Sequence, residues 1–197
     1  RIIPATNSVL TGDWARETYS GFQLLGKTFG ILGLGRLGTI SARIARGFGM
    51  DVLAHDVRNV SAPSVTLVDF DTLFQSSDVL SIHVHLREET RGLVSKSAIE
   101  QMKRSAILIN TSRGAIVDEA ALLDAIKSKK IAGAGLDLVE GEWDHEIGNH
   151  PLIDYARNHS NVVITPHIGG ATHESINGAR IFMANKVTTY LKSIRPL

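Results

Sequence analysis

Short apolar runs alternate with helical patterns along the chain from residue 27 onward. The runs that predict β-strands comprise residues 27–32, 51–55, 78–84, 106–109, 132–138 and 161–164. The segments between them, in which apolar residues recur at helical spacing, predict helices at 37–48, 68–74, 96–103, after the capping residue Asp118, and at 172–191. On the predicted helix over 37–48, Ile40, Ile44 and Phe48 share one face.

This alternation predicts a doubly wound α/β fold, in which helices cover both faces of a mostly parallel sheet in three layers. We expect one domain over residues 1–197. It consists of an approach segment at 1–26 without a strand, a core at 27–168 and a C-terminal helix within 169–197. Sheets of this kind bind ligands at the carboxyl ends of their strands, where the strand order reverses. The residues just after each predicted strand are therefore the candidates for function.

A glycine-rich loop follows the first predicted strand. Gly33, Gly35 and Gly38 have the spacing G-x-G-x-x-G between a strand and a helix, which predicts a Rossmann dinucleotide-binding turn. Asp56 ends the second predicted strand, and a carboxylate there favours NAD because it binds ribose hydroxyls and repels a 2′-phosphate. Arg58 nearby could soften this discrimination against NADP. The alternatives are a strand-end turn role for Asp56 and a methyltransferase-like Rossmann domain.

Three polar residues follow later strands and would be unusual as packing. Arg113 comes after the strand at 106–109, Glu142 follows the strand that Asp137 ends, and His167 follows the last strand. Histidine exchanges protons near neutral pH, glutamate orients it, and arginine binds a carboxylate or a polarised carbonyl. Taken singly, each residue has an ordinary structural alternative: a backbone-bonded histidine, a solvated glutamate, an arginine on the pyrophosphate. Together at one sheet edge they favour oxidation of an alcohol with hydride transfer.

The composition narrows the function classes. A net charge of +1 without blocks of like charge argues against a nucleic-acid or membrane-surface partner, and no apolar run approaches the ~20 residues of a membrane span. The 197 residues include no cysteine, which excludes a thiol mechanism and agrees with a reducing, cytoplasmic compartment. His83 and His85 alternate on one strand, but without a suitably spaced third ligand we expect no metal site.

The chain resembles the cofactor-binding domain of the D-isomer-specific 2-hydroxyacid dehydrogenases, a family that includes D-3-phosphoglycerate dehydrogenases. The resemblance extends from about residue 12 to the last helix. It is carried by four segments in this order: "GFQLLGKTFGILGLGRLG", "NTSRGAIVDEAAL", "GAGLDLVEGE" and "ITPHIGGAT". Together these segments are far more specific than the glycine loop alone.

The resemblance implies that this chain binds NAD and interconverts a D-2-hydroxy acid and a 2-oxo acid. His167 would be the acid/base, Glu142 its partner, and Arg113 the residue that orients the substrate. The implied cofactor contacts are Gly33, Gly35, Arg36, Leu37, Gly38, Asp56, Val84, Thr111, Ser112, Arg113, Asp137, His167, Gly169 and Gly170. Within this set Asp137 would hold the nicotinamide carboxamide, and Asp56 the ribose. NAD-sensing co-repressors of the same fold share the Arg/Glu/His set and remain the alternative.

The resemblance also implies a larger assembly. Family members carry a separate N-terminal substrate domain, and they pair as homodimers through the cofactor domain, with the segment before the first strand as an arm. The substrate domain is absent here, and the sequence begins at Arg1 without methionine. We therefore expect a piece of a longer polypeptide that is weakly active or inactive alone.

The sequence departs from the family at two prolines. His85 and Trp143 stand where the family usually has proline, the first after "HV" and the second after the catalytic glutamate. We expect a different loop shape at His85, and an effect of Trp143 on substrate preference or loop closure. Glu142 argues against the formate dehydrogenase branch, which has glutamine at that position.

Overall fold

A computed structural model describes residues 1–194 of the chain. Seven parallel strands form one sheet in the order β3-β2-β1-β4-β5-β6-β7. The strands are β1 (Thr28–Leu32), β2 (Asp51–His55), β3 (Thr66–Leu67), β4 (Val79–Ile82), β5 (Ile107–Asn110), β6 (Gly133–Leu136) and β7 (Val162–Ile164). The helices are α1 (Ile2–Leu10), α2 (Arg36–Gly47), α3 (Phe70–Ser76), α4 (Lys96–Gln101), α5 (Glu119–Lys127), α6 (Pro151–Ala156) and α7 (His173–Ile194).

The predicted doubly wound α/β fold is confirmed. The chain builds outward from β1 to β2 and β3, then returns to place β4 on the other side of β1. The strand order therefore reverses between β1 and β4, and the crevice beyond their carboxyl ends is where such sheets bind ligands. Two buried apolar clusters lie against the sheet, the larger around β4–β6 with α3–α6, and the smaller around β1, β2 and α2.

Three elements were not predicted from the sequence. Helix α1 contains Pro4 in its first turn, where a missing N–H costs nothing, but its apolar residues form no regular stripe. Strand β3 has only two residues, too few for a pattern. Helix α6 begins at Pro151 directly after the polar stretch and is capped by the side chain of His150, an uncommon capping residue.

Helix α2 packs on the sheet through a face of small residues. Its small residues Gly38, Ala42 and Ala45 are buried, which lets the helix axis approach β1 closely. The face with Ile40, Ile44 and Phe48 is exposed instead, at 44%, 55% and 60%. Every residue of α7 is also exposed. Within residues 1–194, no helix combines the length and the apolar character needed to span a bilayer.

Candidate active site and cofactor cleft

The glycine loop after β1 has the geometry of a dinucleotide-binding turn. Gly33 adopts φ +97°, a conformation that L side chains rarely take, and a Cβ there would lie 2.8 Å from Val84 Cγ1. A Cβ on Gly38 would collide with the carbonyl oxygen of Gly33. The N-cap residue of α2, Gly35, offers no side-chain hydrogen bond, so the first N–H groups of α2 remain available to a diphosphate.

Asp56 lies just beyond β2, beside this turn. Its Oδ2 accepts a hydrogen bond from the backbone N–H of Leu34 at 2.9 Å. The guanidinium of Arg58 is bidentate on the carboxylate, with Nε to Oδ1 at 2.9 Å and Nη2 to Oδ2 at 2.8 Å. The Arg58 hydrogen bond is the main reason that the pKa of Asp56 falls to about 2, despite burial of the carboxyl. The turn, the helix N-terminus and this carboxylate fit the diphosphate and ribose of NAD, and the Arg58 guanidinium lies on the same carboxylate.

The loop after β5 is held by a buried amide. Asn110 is 1% exposed; its Nδ2 donates to the carbonyl oxygen of Arg113 at 2.9 Å, and its Oδ1 accepts the Ser112 N–H at 3.0 Å. Ser112 Oγ donates to the carbonyl of Ile82 at the end of β4. Arg113 has extended backbone and an exposed side chain whose Nη1 donates to the carbonyl oxygen of Ser112. The guanidinium thus stands at the carboxyl edge, while Thr111 beside it is also exposed.

His167 and Glu142, predicted from separate loops, are in direct contact. His167 Nδ1 lies 2.9 Å from both carboxylate oxygens of Glu142. The two side chains are 32% and 19% exposed, so the pair is partly shielded from water. A carboxylate facing Nδ1 assigns the hydrogen to that nitrogen and leaves Nε2 as the one that can exchange a proton with a ligand.

Asp137 braces the turn that carries His167. Its Oδ1 accepts from the hydroxyl of Thr165 at 2.5 Å and from the N–H of Ile168 at 2.9 Å, and its Oδ2 accepts from the N–H of Gly169 at 2.7 Å. Burial alone would raise the pKa of the Asp137 carboxyl, but these hydrogen bonds outweigh it and the pKa is lowered. The turn holds His167 at φ +54°, in the left-handed region. Gly170 lies exposed after it.

Trp143 stands beside the His167–Glu142 pair. Its indole lies 6.2 Å from the imidazole, centre to centre, and is 81% exposed. Both residues line a cavity of about 820 Å³ whose other walls are mostly apolar, including Leu138, Ile153 and Ile164. An exposed aromatic side chain therefore lies next to the His167–Glu142 pair.

The two histidines after β4 have different environments. His83 Nε2 is 2.9 Å from Ser81 Oγ, and burial lowers the pKa of the His83 imidazole. His85 is exposed, and its carbonyl accepts from the Thr90 hydroxyl at 2.7 Å in the loop that ends in a short 3-10 helix. Among residues 1–194, no group of three or more His, Asp or Glu side chains is arranged to hold a metal.

Sequence reasoning missed four residues that organise the site: Asn110, Glu119, His150 and Thr165. Asn110 is the last residue of β5 and Thr165 directly follows β7, close to where the predicted site residues lie, and that position is a usable signal. Glu119 and His150 lie 31 residues apart in the sequence and carry no shared pattern, so only the fold reveals their contact.

Comparison with known proteins identifies a family. The family model described as the NAD binding domain of D-isomer specific 2-hydroxyacid dehydrogenases matches residues 1–169. The chain is 40% identical to the D-3-phosphoglycerate dehydrogenase of Archaeoglobus fulgidus over 98% of its own length, and 40% identical to the glyoxylate reductase of Thermococcus litoralis over 100%. It spans only 36% and 60% of those relatives.

A solved structure gives the same result. The D-lactate dehydrogenase of Aquifex aeolicus, crystallised with NAD and lactic acid, superposes with a TM-score of 0.86 at 30% identity. The match covers 96% of this chain and 61% of that enzyme. The chain belongs to the D-isomer specific 2-hydroxyacid dehydrogenase family, and the part of that family it matches is the NAD-binding domain.

Proposed function

We propose that this chain binds NAD and supplies the acid/base and carboxylate-binding residues of an enzyme that interconverts a D-2-hydroxy acid and its 2-oxo acid. The observation that carries the proposal is the His167–Glu142 pair, 2.9 Å apart at the carboxyl edge of a family-typical nucleotide-binding sheet. An imidazole oriented by a carboxylate beside a dinucleotide cleft is suited to moving the hydroxyl proton.

The roles of the residues follow from their chemistry. NAD held by the glycine turn and Asp56 would supply the acceptor for the hydride that leaves C2 of the hydroxy acid. His167 takes the hydroxyl proton at Nε2, and Glu142 stabilises the imidazolium that results. The fork of Arg113 binds the substrate carboxylate and polarises its oxygen. One hydroxy acid and one NAD thus yield one oxo acid, one NADH and one proton.

We also propose that a second domain completes the site. The matched relatives are longer than this chain, which spans 36% to 60% of their length, and Arg113 is exposed here. Closure of a substrate domain over the cleft would exclude water and meet the side group of the acid. The 197-residue chain alone is then expected to bind NADH with little turnover.

The first experiment measures NADH binding by fluorescence and NADH oxidation by absorbance with a panel of 2-oxo acids. We expect the chain to bind NADH saturably and not to bind S-adenosylmethionine. The longer polypeptide that includes the second domain should reduce a 2-oxo acid to the D-2-hydroxy acid, and the turnover comparisons below use that protein. An Arg113→Ala variant should lose turnover far more than NADH binding, with Arg104→Ala, on the amino side of β5, as a matched control. Equal losses in binding and turnover would contradict the substrate role of Arg113. NADH binding without turnover of any acid, even with the second domain present, would favour an NAD-sensing protein.

A homodimer is part of the proposal. The exposed face of α2 carries Ile40, Ile44 and Phe48, and Phe22 in the segment before β1 is 94% exposed. A second copy would cover this apolar surface. Light scattering of the wild-type chain should give twice the mass of one chain, and the Ile44→Asp variant should have the mass of a single chain. A variant that stays at twice the chain mass would place the interface elsewhere.

The cytoplasmic location also remains a proposal. A chain of 197 residues without cysteine suits a reducing compartment, since it neither needs nor risks disulfide formation. Cell fractionation with an antibody to the chain would test it, and recovery in a secreted fraction would contradict it.

A further inference from the structure

The loop that carries Glu142 is attached to the first turn of α5. Glu119 is the first residue of that helix, and its Oε1 accepts the backbone N–H of Glu140 at 3.0 Å. Its Oε2 lies 3.0 Å from Nε2 of His150, at the far end of the same loop. One carboxylate therefore binds both ends of the segment that presents Glu142.

The contact between Glu119 and His150 is shielded and has a defined tautomer. Their side chains are 12% and 16% exposed. His150 Nδ1 accepts the N–H of Leu152, which places the hydrogen on Nε2, so a neutral imidazole donates to the carboxylate. Burial raises the pKa of the Glu119 carboxyl, while the two donated hydrogen bonds favour its charged form.

The same carboxylate touches the loop of Arg113. A Cβ on Gly114 would lie 2.9 Å from Glu119 Oε1 and would collide with the peptide joining Val139 and Glu140. The backbone after Arg113 therefore packs directly on the backbone that leads to Glu142, with the Glu119 carboxylate at the junction. The substrate-binding residue and the acid/base pair share one point of attachment.

We propose that Glu119 and His150 form a positioning pair that holds the Glu142 loop against the Arg113 loop, and so fixes the acid/base pair relative to the substrate. Neither residue touches the substrate in this scheme. The expected effect of this pair on turnover rests on the proposed function. Its expected effect on the position of the His167 ring does not. Small displacements of a reacting group are expensive, since about 1 Å can cost about 100-fold in rate.

Glu119→Gln tests the pair with almost no change in volume. The amide oxygen can accept the Glu140 N–H, but the amide nitrogen then faces the N–H of His150, and the opposite imidazole tautomer would face the N–H of Leu152. No arrangement satisfies every donor. His150→Gln is the second variant, and Glu146→Gln, on the same segment with an exposed side chain, is the control with the same charge change.

The main readout is the pair of ¹⁵N shifts of the His167 ring, which report the hydrogen on Nδ1 that faces Glu142. We expect Glu119→Gln and His150→Gln to move these shifts towards a mixture of tautomers, and Glu146→Gln to leave them unchanged. In active enzyme, kcat should fall about 10- to 100-fold with KM within about threefold. A purely structural role would lower the melting temperature and leave the His167 shifts and kcat alone.

Unchanged His167 shifts in both folded variants would overturn the inference, whatever the turnover. If only the proposed function is wrong, the ¹⁵N shifts of His167 still respond to the two variants as expected, but the wild-type protein reduces no 2-oxo acid. If Glu119→Gln does not fold, His150→Gln decides, because it leaves the Glu119 carboxylate and its bond to Glu140 in place.

Discussion

The two halves of the cleft are built in different ways. The half that fits the diphosphate and the ribose lies within residues 33–58, and most of its groups are backbone: glycine turns, free N–H groups of α2 and the N–H of Leu34 on Asp56. The half that fits the reaction joins the loops after β6 and β7 through side-chain hydrogen bonds between residues 25 to 32 positions apart. The first half is local, and the second exists only when the sheet is complete.

The difference predicts where each half is vulnerable. Backbone groups survive most substitutions, so the nucleotide half is sensitive mainly to added volume or to loss of the one carboxylate. The reaction half depends on single side chains that satisfy several donors, so each removal leaves buried groups without partners. Substitutions should therefore separate the two halves experimentally.

The largest effect is expected at the acid/base pair. His167→Gln removes the group that exchanges the proton, and turnover should fall about 10²- to 10⁴-fold, the usual contribution of acid/base assistance. NADH affinity should change little, because the nucleotide half stays intact. Steady-state rates and fluorescence titration measure the two. Parallel losses in both would show that the halves are not separable.

The next effect concerns the brace. Asp137→Ala leaves the Thr165 hydroxyl and the N–H groups of Ile168 and Gly169 without their acceptor. We expect a loss of about 1–3 kcal/mol in the free energy of unfolding, measured with urea. Asp124→Ala, exposed on α5, removes the same charge and should cost far less. Similar losses in both variants would contradict the bracing role.

A smaller effect is expected on the melting temperature at low pH. Asp56 has a pKa lowered to about 2, against about 3.9 in an unfolded chain, so its stabilising contribution is complete above pH 4. That contribution is lost as the pH falls from about 4 through about 2. The melting temperature of the wild-type chain should therefore drop more steeply over this window than that of Asp56→Asn. If the melting temperatures of the wild-type chain and Asp56→Asn fall in parallel with pH, the Arg58 hydrogen bond does not stabilise the fold through the pKa of Asp56.

The smallest effect concerns cofactor choice. Arg58 is 62% exposed and covers Asp56, and its guanidinium could bind a 2′-phosphate instead. Arg58→Ala should weaken NADPH binding about two- to fivefold, as expected for an exposed ion pair of ~1 kcal/mol or less, and leave NADH binding nearly unchanged. Arg46→Ala, another exposed arginine beside an aspartate, is the control. A loss of affinity for NADH alone in Arg58→Ala would show that Arg58 binds NADH and not the 2′-phosphate of NADPH.

The sequence predicted the local half of the cleft from its own spacing. Gly33, Gly35 and Gly38 span the junction of β1 with α2, and Asp56 directly follows β2, so each inference spans few residues. For the reaction half, strand ends and the loop after Asp137 indicated Arg113, His167 and Glu142, and the shared sheet edge suggested that the three meet. The family resemblance then gave Glu142 as the partner of His167.

Contacts between residues that do not lie at strand ends could not be predicted from the sequence. The Glu119–His150 contact and the two-residue strand β3 are set by how the layers pack. The face of α2 is a similar case, since Gly38, Ala42 and Ala45 approach the sheet because they are small, whereas hydrophobicity alone favours the opposite face.

The backbone of His167, at φ +54°, has one more consequence. A side chain in the left-handed region costs of order 1 kcal/mol or more, and glycine would adopt it freely. The backbone conformation alone would therefore favour a glycine here, whereas the contact with Glu142 and the proton chemistry require the imidazole. The histidine marks a position where the backbone conformation and the chemistry of the site have opposite requirements.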